Sequence, residues 1–419
     1  MMKGNAIYAQ SGGVTSVINA SAYGLIKAAQ RCDFIENIYG GFNGINGILY
    51  EQLIDIQMEA PENIEGLRYT PAGAFGSCRR KLSSIEKNRK QFERMMEVFE
   101  AHNIRFFFYN GGNDSMDTTL KLSKMANELG YDLVVVGIPK TVDNDLPVTD
   151  NCPGFGSVAK YNSISILEGA FDVASMHRDS TKVFVLETMG RHAGWIAAAT
   201  GLAHRSPKDG PHVILLPERQ FNKDKFLAKV EKTVSKIGYC VVGVSEGVKD
   251  ETGKFLAESG LTDSFGHAQL GGAGNVVGSI IKDNLKIKVH TALLDYCQRS
   301  GRHIASQVDV TQAVACGKKA VEIAGMGLNG KMVTIIRESN DPYQWVTGYT
   351  ELENIANNEK FLPDEYISDD GMHITEDFRI YCEPLITGED YPPYLNGLPN
   401  YIRLEKHLVK KMTKTVFTE

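Results

Sequence analysis

Long apolar runs are missing from this 419-residue chain: no 18 consecutive apolar residues occur, so no bilayer-spanning helix is expected. No apolar signal-type stretch follows the opening MMKGNAIYAQSGG. Cysteine is sparse and unpaired. The seven (Cys32, Cys78, Cys152, Cys240, Cys297, Cys316 and Cys382) form no C-x-x-C pair, which argues against a zinc knuckle or a disulfide framework. Scattered thiols in odd number fit a reducing compartment, and a cytoplasmic location is expected. A strong charge bias is also absent. Lys+Arg number 45 against 51 Asp+Glu, a net −6, which argues against a general nucleic-acid or membrane surface. A local cluster of cations could still hold a small polyanion. No repeat of about 20–50 residues or low-complexity tract stands out. The first strand lacks a following G-x-G-x-x-G with an acidic residue about 20 positions on, which counts against a nicotinamide-dependent oxidoreductase. It also lacks the Gly-Lys-Ser/Thr of a nucleotide-binding loop. A length of 419 residues suits two or more α/β domains, and an apolar share of 42% with a charged share of 23% is an ordinary soluble composition.

What is present centres on Ile104 to Leu146. An apolar strand with three consecutive Phe, Ile104–Tyr109, runs into Asn110–Gly111–Gly112–Asn113–Asp114–Ser115. A helix through Leu120, Leu122 and Met125 stops near Gly130. Leu133–Ile138 reads as a strand buried on both faces, followed by Pro139–Lys140–Thr141–Val142–Asp143–Asn144–Asp145. Such a crossover of about 30 residues places both loops at the carboxyl edge of neighbouring strands, where open α/β sheets bind ligands. Asp114, Lys140, Asp143 and Asp145 can therefore converge. Glycines admit an anion to backbone N–H groups, and carboxylates beside them suit the Mg²⁺ that accompanies phosphates.

The same alternation recurs along the chain. Asn5–Ala9 leads into Gln10–Ser11–Gly12–Gly13 and a helix through Val17, Ile18 and Leu25. Thr70–Arg80 is a small-residue loop ending in Arg79 and Arg80. Ser84–His102 reads as an amphipathic helix with Phe92, Met95, Met96 and Phe99 on one face. Lys182–Glu187 is a strand before Met189–Gly190–Arg191–His192, where the lone His reads as a cap or packing residue. Val213–Leu216 ends in Pro217–Glu218, and Cys240–Val244 ends in Ser245–Glu246–Gly247. Residues 262–275 form a Gly-rich connection. Lys288–Leu294 leads into Tyr296–Cys297–Gln298–Arg299, and Lys331–Ile336 is the last core strand. The alternation stops in 338–419, read as a cover or assembly surface with a basic helix near Tyr401–Met412.

Taken together, these loops resemble the phosphofructokinase family, and most closely its pyrophosphate-dependent members. The resemblance covers most of residues 4–337. It rests on Ser11–Gly13, Gly76–Arg79, Gly111–Ser115, Pro139–Asp145, Met189–Arg191, Pro217–Glu218 and Tyr296–Arg299, in that order and each at a strand end. It implies phosphoryl transfer from pyrophosphate to the 1-hydroxyl of fructose 6-phosphate, with Mg²⁺ as cofactor. The implied catalytic residues are Asp143 as general base, Thr141 and Arg79. Gly12, Gly13, Gly112, Asp114 and Lys140 would hold the donor. Asp145, Lys182, Met189, Gly190, Arg191, Glu218, Tyr296 and Arg299 would hold the sugar phosphate, Lys182 by reaching a neighbouring subunit's site. His290 stands where many members carry Arg.

ATP-using members typically carry Gly at the positions of Asp114 and Lys140. A carboxylate at 114 adds bulk and charge where the α-phosphate of ATP would pass, and Lys140 offers a cation to a diphosphate. Asn113 departs from the family's usual Asp, which moves the expected metal contact to Asp114, with Asn113 and Asp145 as further candidates. The readings weighed against this one are an ATP-dependent kinase, a broader acceptor such as sedoheptulose 7-phosphate, and a non-catalytic regulatory subunit. The implied architecture is α/β: two Rossmann-like three-layer domains with the active site in their cleft, plus an α-rich C-terminal extension. Residues 1–153 with roughly 298–346 would form the donor domain; 154–297 with roughly 347–419 would form the sugar-phosphate domain. A homodimer or homotetramer without nucleic-acid or membrane partners is expected.

Overall fold

A computed structural model describes residues 2–82, 84–262 and 268–418. Part of the expected connection 262–275, namely 263–267, lies outside the described residues. In chain order the elements begin with β1 (Gly4–Gln10), α1 (Ile18–Ala29), β2 (Ile35–Gly41), α2 (Ile45–Leu49), β3 (Leu53–Asp55) and α3 (Pro61–Leu67). Next come α4 (Arg89–Ala101), β4 (Ile104–Gly111), α5 (Asn113–Glu128), β5 (Val134–Pro139), α6 (Phe155–Met176) and β6 (Val183–Thr188). Then follow α7 (Trp195–Ala199), β7 (Val213–Leu215), α8 (Lys223–Ile237), β8 (Cys240–Ser245), the hairpin β9 (Glu258–Thr262) and β10 (Ala268–Leu270), α9 (Ala273–Leu285), β11 (Val289–Leu293), α10 (Asp295–Ser300) and α11 (Gln307–Gly325). The chain ends with β12 (Lys331–Asn340), β13 (Tyr343–Glu351), α12 (Glu376–Cys382), β14 (Tyr394–Leu395) and β15 (Leu398–Pro399).

Among the described residues, seven strands form one sheet in the order β13-β12-β5-β4-β1-β2-β3, parallel except for the outer pairs β13/β12 and β2/β3. The three-Phe run explains how this sheet is held. Successive side chains of a strand point to opposite faces. Phe106 and Phe108 pack with Leu25 of α1 and Val321 of α11. Phe107 and Tyr109 pack on the other face with Phe92 and Phe99 of α4 and Met125 of α5. Both faces are covered, so the run Phe106–Tyr109 is aromatic on both faces. Each such Phe contributes about 1.5–3 kcal/mol of burial.

A second, wholly parallel sheet runs β11-β6-β8-β7. Val185 and Val244 face Phe226 of α8 and Ile281 of α9. Leu186 and Val241 face Ile166 and Val173 of α6 on the other side. The molecule is thus built of two α/β halves, each a sheet between helices, which agrees with the expected fold class.

Three local expectations need correction. α4 begins at Arg89 because Ser84 starts a separate turn, its hydroxyl accepting Lys87 N–H at 3.2 Å and its carbonyl accepting Asn88 N–H at 3.0 Å. Asn113–Ser115 belong to the first turn of α5, not to the loop before it. The extension is not α-rich: among the described residues its one α-helix is the seven-residue α12. No helix forms over Tyr401–Met412. That stretch runs extended beside β3, with Asp55 N–H donating to His407 O at 2.8 Å and Val409 N–H to Leu53 O at 2.8 Å. Pairing with the open edge of β3 satisfies backbone groups that a helix would have satisfied internally. Ile402 and Leu404 thereby join the core of the first half, not the second.

Candidate active site

β1, β4 and β5 are neighbours, so the turns after Gln10, Gly111 and Pro139 share one sheet edge. The carboxyl ends of β6, β8 and β11 present Met189–Arg191, Glu246 and Asp295–Arg299 from the second half. Together they line a cleft of about 1060 Å³.

One side of the cleft is built around Gly12 and Gly13. Gly12 has φ +74°, a conformation that disfavours a side chain. A Cβ on Gly12 would lie 3.6 Å from Lys140 Nζ; one on Gly13 would lie 3.0 Å from Arg299 Nη1 and 3.7 Å from Arg79 Nη2. Three cations therefore crowd one bare turn. Lys140 is buried and donates from Nζ to Gly13 O. Burial first, then Arg299 and Arg79, push its pKa down to about 8. Arg299 lies with its Cζ 3.9 Å from the Tyr296 ring centroid. Its guanidinium reaches the Gly13 side, so it stands with the donor cations as well as near the expected sugar phosphate. Asp114, in the first turn of α5, pairs with Lys81 at 3.2 Å, and the positive end of the helix favours its charge.

The Thr141–Asp145 loop forms the floor. Its middle residue, Asn144, is fully buried with φ +55°; its amide donates to Tyr381 Oη at 2.8 Å and accepts Cys152 N–H at 2.9 Å. That anchor leaves Asp143 and Asp145 to line the cleft. Asp143 N–H donates to Thr141 Oγ1 at 3.1 Å. Burial, with Asp145 and Glu246 nearby, raises the Asp143 carboxyl to about 7. Burial also raises Asp145.

Among the described residues no cluster of three or more His, Cys, Asp or Glu side chains could hold a metal by itself. Mg²⁺ does not require one, because it usually takes one or two carboxylates plus substrate phosphates and water. Asp145 Oδ1 is buried without a hydrogen-bond partner, an oxygen that fits such a cation. Asp114 shares its charge with Lys81. Asn113 is engaged elsewhere: its Oδ1 accepts Asn357 N–H at 2.8 Å and its Nδ2 donates to Asn358 O.

The cleft gathers Gly12, Gly13, Arg79, Gly112, Asn113, Asp114, Lys140, Thr141, Asp143, Asp145, Met189, Arg191, Tyr296 and Arg299. Three expected residues are not on its surface. Gly190 stands behind it, its N–H donating to Glu246 Oε1 at 3.4 Å. Lys182 lies just before β6, at the far end of that strand, and donates to His177 O at 2.8 Å. Glu218 does not line the cleft; its Oε1 accepts the N–H groups of Gly194 at 2.8 Å and Leu362 at 3.1 Å, while its Oε2 is buried without a hydrogen-bond partner. The carboxylates of this half that line the cleft are Glu187, Asp295 and Glu246, the last raised by burial. The signal of Glu246 in the sequence matched that of Asp143, an acid just past an apolar strand. Asn357, Asn358, Glu359 and Phe361 of the extension also line the cleft, and no motif announced them. His192 sits at the rim, 3.2 Å from Glu359. His290 is exposed on β11.

A phosphofructokinase family profile matches residues 5–324. The chain is 56% identical over 412 residues to a pyrophosphate–fructose 6-phosphate 1-phosphotransferase of Halomonas elongata, covering 98% of each. It is 55% identical over 415 residues to the enzyme of that name from Methylococcus capsulatus, covering 99% of each. The solved pyrophosphate-dependent phosphofructokinase of Nitrosospira multiformis superposes with a TM-score of 0.92 at 55% identity, over 99% of this chain and 100% of that one.

Proposed function

The chain belongs to the phosphofructokinase family, and we propose that it reversibly transfers a phosphoryl group from pyrophosphate to the 1-hydroxyl of fructose 6-phosphate, giving fructose 1,6-bisphosphate and phosphate. The observation that carries this reading is the convergence of Lys140, Arg79 and Arg299 on the Gly12–Gly13 turn, with Asp143 across the same cleft. Three cations over bare backbone suit a diphosphate, whose charge is concentrated on few atoms.

In this mechanism Asp143 accepts the proton of the sugar hydroxyl as its oxygen bonds to phosphorus. The bond from that phosphorus to the bridging oxygen breaks, and phosphate leaves. A carboxyl raised by burial suits a base that must let its proton go again in the reverse direction. Arg79 and Lys140 offset charge on the transferring and leaving oxygens. Thr141 orients Asp143 through its backbone N–H. On the acceptor side Met189, Arg191, Tyr296 and Glu246 suit the sugar phosphate, with Glu218 behind them. Asp145, with Asp114, would hold Mg²⁺, which neutralises phosphate charge when bound.

Lys182 and His290 do not reach the cleft of their own chain. A homodimer or homotetramer in which such surfaces meet a second copy accords with the reading, and sedimentation would test it. No helix of the described residues is long and apolar enough to cross a membrane, and a cytoplasmic enzyme is the reading we adopt.

The deciding experiment is a donor screen with purified protein, fructose 6-phosphate and Mg²⁺. Turnover with pyrophosphate and little with ATP is expected. Turnover with ATP and none with pyrophosphate would overturn the proposal.

A further inference from the structure

The extension places one short segment across both halves of the cleft. At one end Asn357 and Asn358 meet the first turns of α5: Asn113 takes their backbone N–H and C=O, and Asn357 Nδ2 donates to Asp117 Oδ1 at 3.1 Å. In the middle, Lys360 N–H donates to Asp145 O at 2.7 Å, and Lys360 Nζ donates to Thr149 O at 3.1 Å and Asp150 O at 2.9 Å. At the other end the segment meets the second half. Glu359 pairs with His192, Trp195 Nε1 donates to Lys360 O at 3.0 Å, and Leu362 N–H reaches Glu218.

We infer that Asn357–Leu362 is a strap that fixes the first turn of α5 relative to the acceptor half, and that Asn113 is the positioning residue through which it sets the donor site. The inference rests on the proposed phosphoryl transfer. Its physical core is the amide of Asn113, which accepts from one backbone group and donates to the next. Only one orientation of the amide satisfies both. An ionised carboxylate could accept from Asn357 N–H but would set its second oxygen against Asn358 O. An ionised Asp at this position is therefore incompatible with both contacts, and an amide is what the strap requires. Gly112 and Asp114 flank Asn113 directly, so releasing it shifts the donor loop while Arg191 and Tyr296 stay in place.

The test compares the parent with Asn113→Asp and Asn113→Ala, each checked for a native thermal transition. Steady-state kinetics should show KM for pyrophosphate raised about tenfold in both, through the loss of both hydrogen bonds in Asn113→Ala and of one, with a carboxylate oxygen set against Asn358 O, in Asn113→Asp, and KM for fructose 6-phosphate within about twofold of the parent. Amide hydrogen exchange at Asn357, read without any donor, should quicken in Asn113→Ala, which removes the acceptor of that N–H, and less in Asn113→Asp, which keeps one. An unchanged pyrophosphate KM with unchanged exchange would overturn the strap, as would equal rises in both KM values. Absence of pyrophosphate turnover in the parent would overturn the functional reading alone, since exchange at Asn357 still reports on the strap.

Discussion

At the scale of single residues, two groups in the cleft titrate near neutrality and in opposite senses. Asp143, raised by burial to about 7, works as a base only when ionised. Lys140, lowered by burial to about 8, holds a phosphate only when protonated. The donor kcat/KM should therefore climb as pH rises through about 7 and fall as pH passes about 8, a narrow bell whose limbs belong to the interacting set. Lys140→Arg separates them, because a guanidinium stays charged above pH 12 or so. In that variant the alkaline limb should move up by a unit or more while the acid limb stays. A pH–rate profile with an unmoved alkaline limb would remove Lys140 from the account. Both residues were legible in the sequence because each follows an apolar strand within a polar loop. The choice between Glu218 and Glu246 was not. Both follow strands, and the structure puts Glu246 on the cleft lining while Glu218 Oε1 takes the N–H groups of Gly194 and Leu362. A strand end tells which edge a residue occupies, not which way its side chain turns.

At the scale of elements, the last twenty residues show how a polar tail can be structural. Glu51, buried beside α2, receives the backbone N–H groups of Met412 and Thr413, the Thr413 hydroxyl and His102 Nε2. Burial opposes its charge, but these donors outweigh it and bring its pKa down to about 2. A carboxyl whose folded pKa is depressed contributes stability above its unfolded value, and loses that contribution as pH falls through the folded one. Glu51→Gln should therefore lower stability at pH 7 by about 1–3 kcal/mol, because an amide presents an N–H₂ to donors. The gap from the parent should narrow as pH drops below about 4.5, toward the folded value. Urea unfolding at several pH values measures this, and a gap independent of pH would exclude the Glu51 charge as its source. The sequence suggested a helix here with a solvated basic face over Tyr401–Met412. Helical spacing in a charged segment is weak information. The open edge of β3, formed about 350 residues earlier, decides the outcome, and nothing local to the tail records it.

At the scale of the whole molecule, the two α/β halves were legible because strand, loop and helix repeat in both. Strand order was not, since β1 sits between β2 and β4, and β12 returns to β5 after a whole second half has intervened. Such returns need fixed points, and one of them is ionic. Arg302 is fully buried where the chain leaves the second half for α11. Its Nη2 reaches Asp390 Oδ1 at 2.6 Å, while Asp390 Oδ2 takes Arg68 Nη2 at 2.6 Å. The Arg302 guanidinium also donates to Arg68 O, at 3.3 Å from Nε and 3.1 Å from Nη2. Segments from α3, the approach to α11 and the extension thus meet at one carboxylate. Removing one partner of a buried pair strands the other charge, whereas removing both replaces ions by packing. Asp390→Ala should then destabilise the fold by about 3–5 kcal/mol, with phosphoryl transfer per folded molecule retained because neither residue lines the cleft. Asp390→Leu combined with Arg302→Met should recover a good part of that loss in thermal unfolding. If the double variant is no more stable than the single one, the junction holds by the shape of Arg302 against Tyr69, whose ring centroid lies 5.5 Å from its Cζ, and not by the pairing of charge.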